Sequence, residues 1–174
     1  MSARLFLALA TGDFDTERRV YCATVVLGNH MKGAALNTPH IAFVGAGNMA
    51  SSIIGGLIAS GHSATCITAA DPFPASLERL RKSAPVAVYN DNAEAARSAD
   101  IVILAVKPQI MAEATDSIAA VVRSNNAVVI SIAAGVTIAS MQARLGPEAA
   151  IVRCMPNTPA LLQHGASGLF GNDN

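Results

Sequence analysis

The stretch that most limits what this chain can fold into is 40–61, HIAFVGAGNMASSIIGGLIASG. Four apolar residues, Ile41-Ala42-Phe43-Val44, are enough for a buried strand. Gly45-Ala46-Gly47-Asn48-Met49-Ala50 comes next. Then Met49, Ile53, Leu57 and Ile58 recur at helical spacing, which predicts one apolar helix face. Strand, glycine turn and helix together are the context in which a G-x-G-x-x-G/A pattern carries meaning. Gly45 permits the tight turn out of the strand. Gly47 has no side chain, so a pyrophosphate can approach the backbone. Ala50, in place of a third glycine, still lets helix and strand pack closely. The free N–H groups at the helix start then face the phosphates, and the helix dipole favours their charge. The stretch predicts a dinucleotide site; the alternative is a glycine-rich turn that binds nothing.

Composition narrows the classes. A chain of 174 residues suggests one domain with a tail. It is 52% hydrophobic with zero net charge, enough apolar material for a buried parallel sheet and far from a disordered composition. With no basic excess and no interleaving of aromatic and basic residues, no nucleic-acid partner is expected. Cys22, Cys66 and Cys154 are widely spaced and odd in number, and His30, His40, His62 and His164 show no metal-ligand spacing. Neither a disulfide framework nor a metal site is expected, and a reducing cytoplasm is the simplest compartment.

Residues 1–38 fit poorly with the pattern of the rest of the chain and predict a poorly ordered extension ahead of a domain at 39–174. Leu5–Ala10 after Arg4 resembles a short signal sequence, but Asp13, Asp15 and Glu17 come directly after it. No membrane partner is expected. Val20–Leu27 could form a stray strand. Met31 is an alternative natural start, with Lys32–Thr38 as an ordinary lead-in.

Beyond the first helix, which Gly61 stops, strand and helix patterns alternate. Cys66–Ala70 reads as a strand ending at Asp71, and Pro72 and Pro74 break the chain. Ala75–Ser83 reads as a solvent-facing helix with Leu77 and Leu80. Val86–Val88 is a strand, and Asn92–Ser98 a short helix capped by Asp91 or Asn92. Ile101–Val106 is apolar on both faces, as a central parallel strand should be. A helix runs from Pro108 to Val122, then come a strand at Ala127–Ile132, a helix at Thr137–Leu145 and a strand at Ala150–Arg153; part of Leu161–Phe170 suggests another. The pattern predicts an α/β, Rossmann-like doubly wound fold: a mostly parallel sheet with helices on both faces. Ser51, Gly55 and Ala59, beside Ser52, Gly56 and Ser60, give the first helix a small-residue side suited to close packing.

In such a sheet the ligand lies outside the carboxyl ends of the strands. Asp71 stands about 20 residues past the glycine turn, where an acidic side chain bonds ribose hydroxyls and would repel a 2′-phosphate. No arginine stands close behind it, so local electrostatics favour NAD over NADP; the competing reading of Asp71 is a turn residue before Pro72. Ala105-Val106-Lys107-Pro108 ends one strand, and Lys107 could neutralise phosphate or a substrate carboxylate or simply be solvated. Ala133-Ala134-Gly135 would let backbone approach a flat ring. Asn157, between Pro156 and Pro159, could bond a ligand or serve as an ordinary turn residue. No acid–base pair and no nucleophile pattern stands out, so any hydride chemistry would belong to the cofactor, with the protein orienting the partners.

Taken together, IAFVGAGNMASSIIGGL, ILAVKP, SIAAGVT and MPNTPA, in this order and spacing, resemble pyrroline-5-carboxylate reductase over about 39–170. The resemblance implies hydride transfer from NAD(P)H to the C=N carbon of 1-pyrroline-5-carboxylate, giving L-proline in proline biosynthesis. It places Ala46, Asn48 and Met49 on the pyrophosphate side, Asp71 and Asn92 around the adenosine portion, and Val106, Lys107 and Ala134 towards the nicotinamide. Family members often use NADPH with a small polar residue near the position of Asp71, and this sequence departs there. The family also has a second, all-helical domain that forms the homo-oligomer and supplies a hydroxyl beside the ring nitrogen. Its counterpart would lie beyond Asn174, so no catalytic residue is assigned here, and the chain is expected to be a fragment inactive alone. The alternatives are a hydroxy-acid dehydrogenase-like oxidoreductase and a non-catalytic nucleotide-binding module.

Overall fold

Ile41–Val44 is buried at every position, as a strand must be when helices cover both faces of its sheet. The computed structural model describes residues 20–24, 38–156 and 166–174. The elements are β1 (Val20–Thr24), β2 (Ile41–Val44), α1 (Asn48–Ala59), β3 (Ile67–Ala70), α2 (Pro74–Ser83), β4 (Ala87–Tyr89), α3 (Asn92–Ala96), β5 (Ile101–Leu104), α4 (Met111–Asn125), β6 (Val128–Ser131), α5 (Ile138–Leu145), β7 (Ile151–Pro156) and β8 (Ala166–Gly171). They form one eight-stranded sheet in the order β1-β8-β7-β6-β5-β2-β3-β4. Strands β2 to β7 run parallel; β8 and β1 add antiparallel at one edge. The strand order reverses at β2, which has β3 on one side and β5 on the other.

The two-residue period of the strands divides the core. Ala42, Val44, Val102 and Leu104 point to one layer with Met111, Ile118 and Val122 of α4 and Met141 and Leu145 of α5. Ile41, Phe43, Ile67 and Ile103 point to the other, with Ala50 and Ile54 of α1 and Leu77 and Leu80 of α2. The expected doubly wound architecture is therefore present.

Local signals set most boundaries. Gly61, at φ +96°, donates to the Ile58 carbonyl while His62 N–H reaches Leu57, the paired bonds of a Schellman stop. Asp91 caps α3, its Oδ1 accepting from Glu94 N–H at 2.7 Å. Thr137 caps α5 through Ser140 N–H, and Asn126 ends α4 in the left-handed region. The structure differs in three places. The fully buried residues of α1 are Ala50 and Ile54, with Ile53, Leu57 and Ile58 half-buried beside them, so the inward stripe is one position round from the expected face. Close packing along the small-residue side is not found at Gly55, where an added Cβ would meet nothing within 4 Å, and Ala59 is exposed. The strand expected at Ala150–Arg153 continues to Pro156 because β8 pairs with its far end. Within the extension, Val20–Thr24, inside the stretch that could form a stray strand, pairs with β8, and the possible start at Met31 lies outside the described residues.

Two contacts hold the carboxyl edge of the sheet in shape. The chain leaving β2 passes very close to the chain leaving β5: Gly45 has φ +101°, and a Cβ there would stand 2.7 Å from the Ala105 carbonyl oxygen. Gly45 N–H also donates to Ala70, and Ala105 N–H to Val44, both at 2.8 Å. Just past β3, the buried Asp71 accepts from Ala46 N–H through Oδ2 and from Phe73 N–H through Oδ1, each at 2.9 Å. One carboxylate thereby ties the glycine turn to the corner that leads into α2.

His62 lies at the other end of α1. Its Nε2 is buried without a hydrogen-bond partner. Burial holds its pKa below the usual 6.5; a hydrogen bond to the Pro39 backbone opposes this and nearby His40 adds to it.

These contacts lead to three expected outcomes. Gly45→Ala should destabilise the chain by about 2 kcal/mol or more in denaturant unfolding, from strain at positive φ plus the clash. Asp71→Ala should cost about 2 kcal/mol, because two backbone donors lose a charged acceptor; Asp71→Asn, which keeps one good acceptor, should fall between. As pH drops below 6.5, the unfolded chain takes up a proton that folded His62 resists, so stability should decline. His62→Gln should flatten that decline in melting temperatures between pH 7 and 5, and an unchanged slope would count against the assignment.

Candidate functional site

The crevice lies beyond the carboxyl ends of β2, β3 and β5, where the strand order reverses and α/β sheets bind ligands. Gly45, Ala46 and Ala50 are buried along its floor, Met49 is half-buried, and Gly47 and Asn48 are exposed. Gly47 differs from Gly45 in a way that matters. Its backbone is extended, with φ −74° and ψ −175°, a conformation open to any residue. A Cβ there would meet nothing within 4 Å. The fold does not need glycine at 47; the bare backbone leaves open space directly above the helix start.

Helix α1 begins without a side-chain cap bond and without an acidic residue in its first turn. Its first N–H groups have no carbonyl one turn back and point out along the axis, carrying the positive end of the dipole. Ala46 N–H is not among them, since Asp71 holds it. A roomy backbone position in front of an uncapped helix start suits a pyrophosphate, so these residues fit a dinucleotide.

Asp71 is at the end of β3, as expected, but it is only 8% exposed and each of its oxygens accepts a backbone N–H. Its charge is directed inward and offset by two amide dipoles. The ground for preferring NAD, repulsion of a 2′-phosphate, therefore falls away. Asn92 is the first residue of α3, with its Nδ2 donating to Ser117 Oγ on α4 at 3.0 Å. Ala105 and Val106 come after β5, half-buried, and lie against Gly45. Lys107 and Pro108 are exposed where a 3₁₀ turn, Pro108–Ile110, leads into α4. Ala134 is exposed on the turn after β6, next to Gly135 at φ +75°. The carboxyl edge thus gathers the glycine turn, 105–108 and Ala134. Asn157 and most of the MPNTPA motif lie outside the described residues.

Three exposed apolar residues stand along this rim, and sequence reasoning named only Met155 of them, within MPNTPA. Phe73, Ile110 and Met155 are 67%, 43% and 42% exposed, and they succeed or end β3, β5 and β7. Of the two passed over, Phe73 had a local signal, set between two prolines. A cavity of about 200 Å³ lined by His40, Thr68, Tyr89, Glu94, Arg97 and Ser98 lies beside α3 and includes no residue of the glycine turn. Among the described residues, no group of three or more His, Cys, Asp or Glu could hold a metal ion. No helix among them is long and apolar enough to cross a membrane.

Comparison with known proteins agrees with this fold. Pyrroline-5-carboxylate reductase of Pseudomonas aeruginosa is 47% identical over 137 residues, covering 79% of this chain and 50% of that protein. The Vibrio alginolyticus enzyme is 44% identical over 130 residues, covering 75% and 47%. Among solved structures, pyrroline-5-carboxylate reductase from Coxiella burnetii superposes with a TM-score of 0.76 at 38% identity, over 79% of this chain and 51% of that one. The Plasmodium falciparum enzyme with NADP bound gives 0.69 at 28% identity, over 80% and 50%. The chain spans about half the length of the curated relatives it matches. A family model described as NADP oxidoreductase coenzyme F420-dependent matches residues 40–135, and it is to this family that the chain belongs.

Proposed function

We propose that this chain is the dinucleotide-binding portion of a pyrroline-5-carboxylate reductase, which reduces 1-pyrroline-5-carboxylate to L-proline with NAD(P)H. The observation that carries the reading is the contrast between the two glycines of the turn. Gly45 is demanded by the fold, whereas Gly47 fills no steric need of the protein and faces open space at an uncapped helix start. Likeness to relatives named for this reaction supports the substrate.

Gly45, Ala46, Gly47 and Ala50 shape the turn, and the first N–H groups of α1, from Asn48 and Met49, bind the pyrophosphate. Asp71 holds Ala46 and the corner after β3 in place beneath the adenosine, with Asn92 nearby. Ala105, Val106 and Pro108 wall the path towards the nicotinamide, Lys107 offers a positive charge to phosphate or substrate carboxylate, and Ala134 leaves room for a flat ring. Asn157, which follows β7 in sequence, contributes to the same site. When bound, the cofactor supplies the hydride; the chain's task is to orient it and exclude misplacement. The protonating group for the ring nitrogen is assigned to none of the described residues. A homo-oligomer and a cytoplasmic location belong to the same proposal.

The test is calorimetric titration of the purified chain. NADPH or NADH should bind. Gly47→Val should weaken that binding roughly tenfold or more, about 1.4 kcal/mol, with the melting temperature essentially unchanged. Equal affinity in the variant would sink the phosphate-cradle reading. With the proton donor assigned to none of the described residues, the same preparation should reduce 1-pyrroline-5-carboxylate slowly or not at all, and normal turnover would place the donor inside this chain.

A further inference from the structure

We infer that Phe73 is the platform on which the adenine ring stacks; this deepens the proposed dinucleotide site and rests on it. Exposure alone would carry nothing, since single exposed apolar side chains are ordinary. Phe73 is, however, the most exposed of the large hydrophobic residues described, at 67%, and its position is unusual.

Its backbone is fixed to the site. Phe73 N–H donates to Asp71 Oδ1, and the other oxygen of that carboxylate holds Ala46 N–H in the glycine turn, both at 2.9 Å. The aromatic residue and the turn are therefore joined through one buried side chain. The Phe73 carbonyl accepts from Ser76 N–H at 3.0 Å and Leu77 N–H at 3.4 Å, opening α2. Pro72 and Pro74 flank it and remove backbone freedom. The ring is thus presented on a stiff corner, and a ligand would not have to order a loop to use it.

Its place along the crevice selects the base. The corner after β3 is where a dinucleotide fold meets the adenosine ribose, and the base is attached to that ribose. Asp71 is turned inward and occupied, so this corner offers the adenosine an apolar π-face. Stacking on an aromatic ring is worth on the order of tenfold or more in affinity when the ring is removed, and it needs no reading of the base edge.

Phe73→Ala and Phe73→Tyr, titrated against NADPH, AMP and reduced nicotinamide mononucleotide, test the assignment. Phe73→Ala should weaken NADPH and AMP about tenfold, leave the mononucleotide unchanged and keep the melting temperature within about a degree. Phe73→Tyr should bind NADPH within about twofold of the parent chain. Unchanged NADPH affinity in Phe73→Ala, an equal loss for the mononucleotide, or a fall of several degrees in melting temperature would overturn the stacking role while the dinucleotide site stands. A parent chain that binds neither NADPH nor AMP would overturn both.

Discussion

The carboxyl edge of the sheet depends on how closely the chain leaving β2 passes the chain leaving β5. At Gly45 there is no room for even a Cβ beside the Ala105 carbonyl. That approach brings the glycine turn, Ala105 and Val106 to one place and starts α1 at the point where the strand order reverses. A side chain at 45 would push the two connections apart, and the helix start would lose its aim. The hydrogen bonds from Gly45 to Ala70 and from Ala105 to Val44 continue the sheet's ladder into the loops and keep this geometry rigid.

Asp71 extends the same constraint sideways. A buried carboxylate is costly unless its oxygens are satisfied, and here two backbone N–H groups from separate loops satisfy them. The result is a joint between the phosphate side and the adenosine side of the crevice. The residue whose position suggests direct recognition of a ribose acts, in this geometry, as the residue that positions its neighbours. Its inward orientation also leaves the exposed surface of that corner to Phe73.

Rigidity beneath and openness above describe the crevice as a whole. Strands β2 and β5 are fully or nearly fully buried, with helices packed on both faces, while Gly47, Asn48, Lys107 and Ala134 are exposed. A polar, extended ligand can lie along such an edge without displacing any core side chain. The helix start supplies partial positive charge, and the loops supply small residues and one lysine. What the fold contributes, on the proposed reading, is a prepared track for a cofactor.

Sequence by itself determined the fold class and pointed to the place of the candidate site. Apolar runs of strand length alternating with helical periods admit few arrangements other than a doubly wound sheet. Asp91, Thr137 and Gly61 acted locally, through caps and a stop that need only neighbouring residues. The glycine turn was legible because its strand and helix lie adjacent in the chain. Tertiary structure alone decided the rest, because it depended on groups far apart in sequence. Asp71 turned inward because Ala46, 25 positions away, presented an N–H to it. The inward face of α1 shifted to Ala50 and Ile54 because that stripe packs into the layer with Phe43 and Ile103. Val20–Thr24 and Ala166–Gly171 became neighbours through backbone pairing that no local periodicity encodes. The two glycines of one motif, alike in sequence, took opposite roles: Ala105, 60 positions on, crowds Gly45, and nothing crowds Gly47.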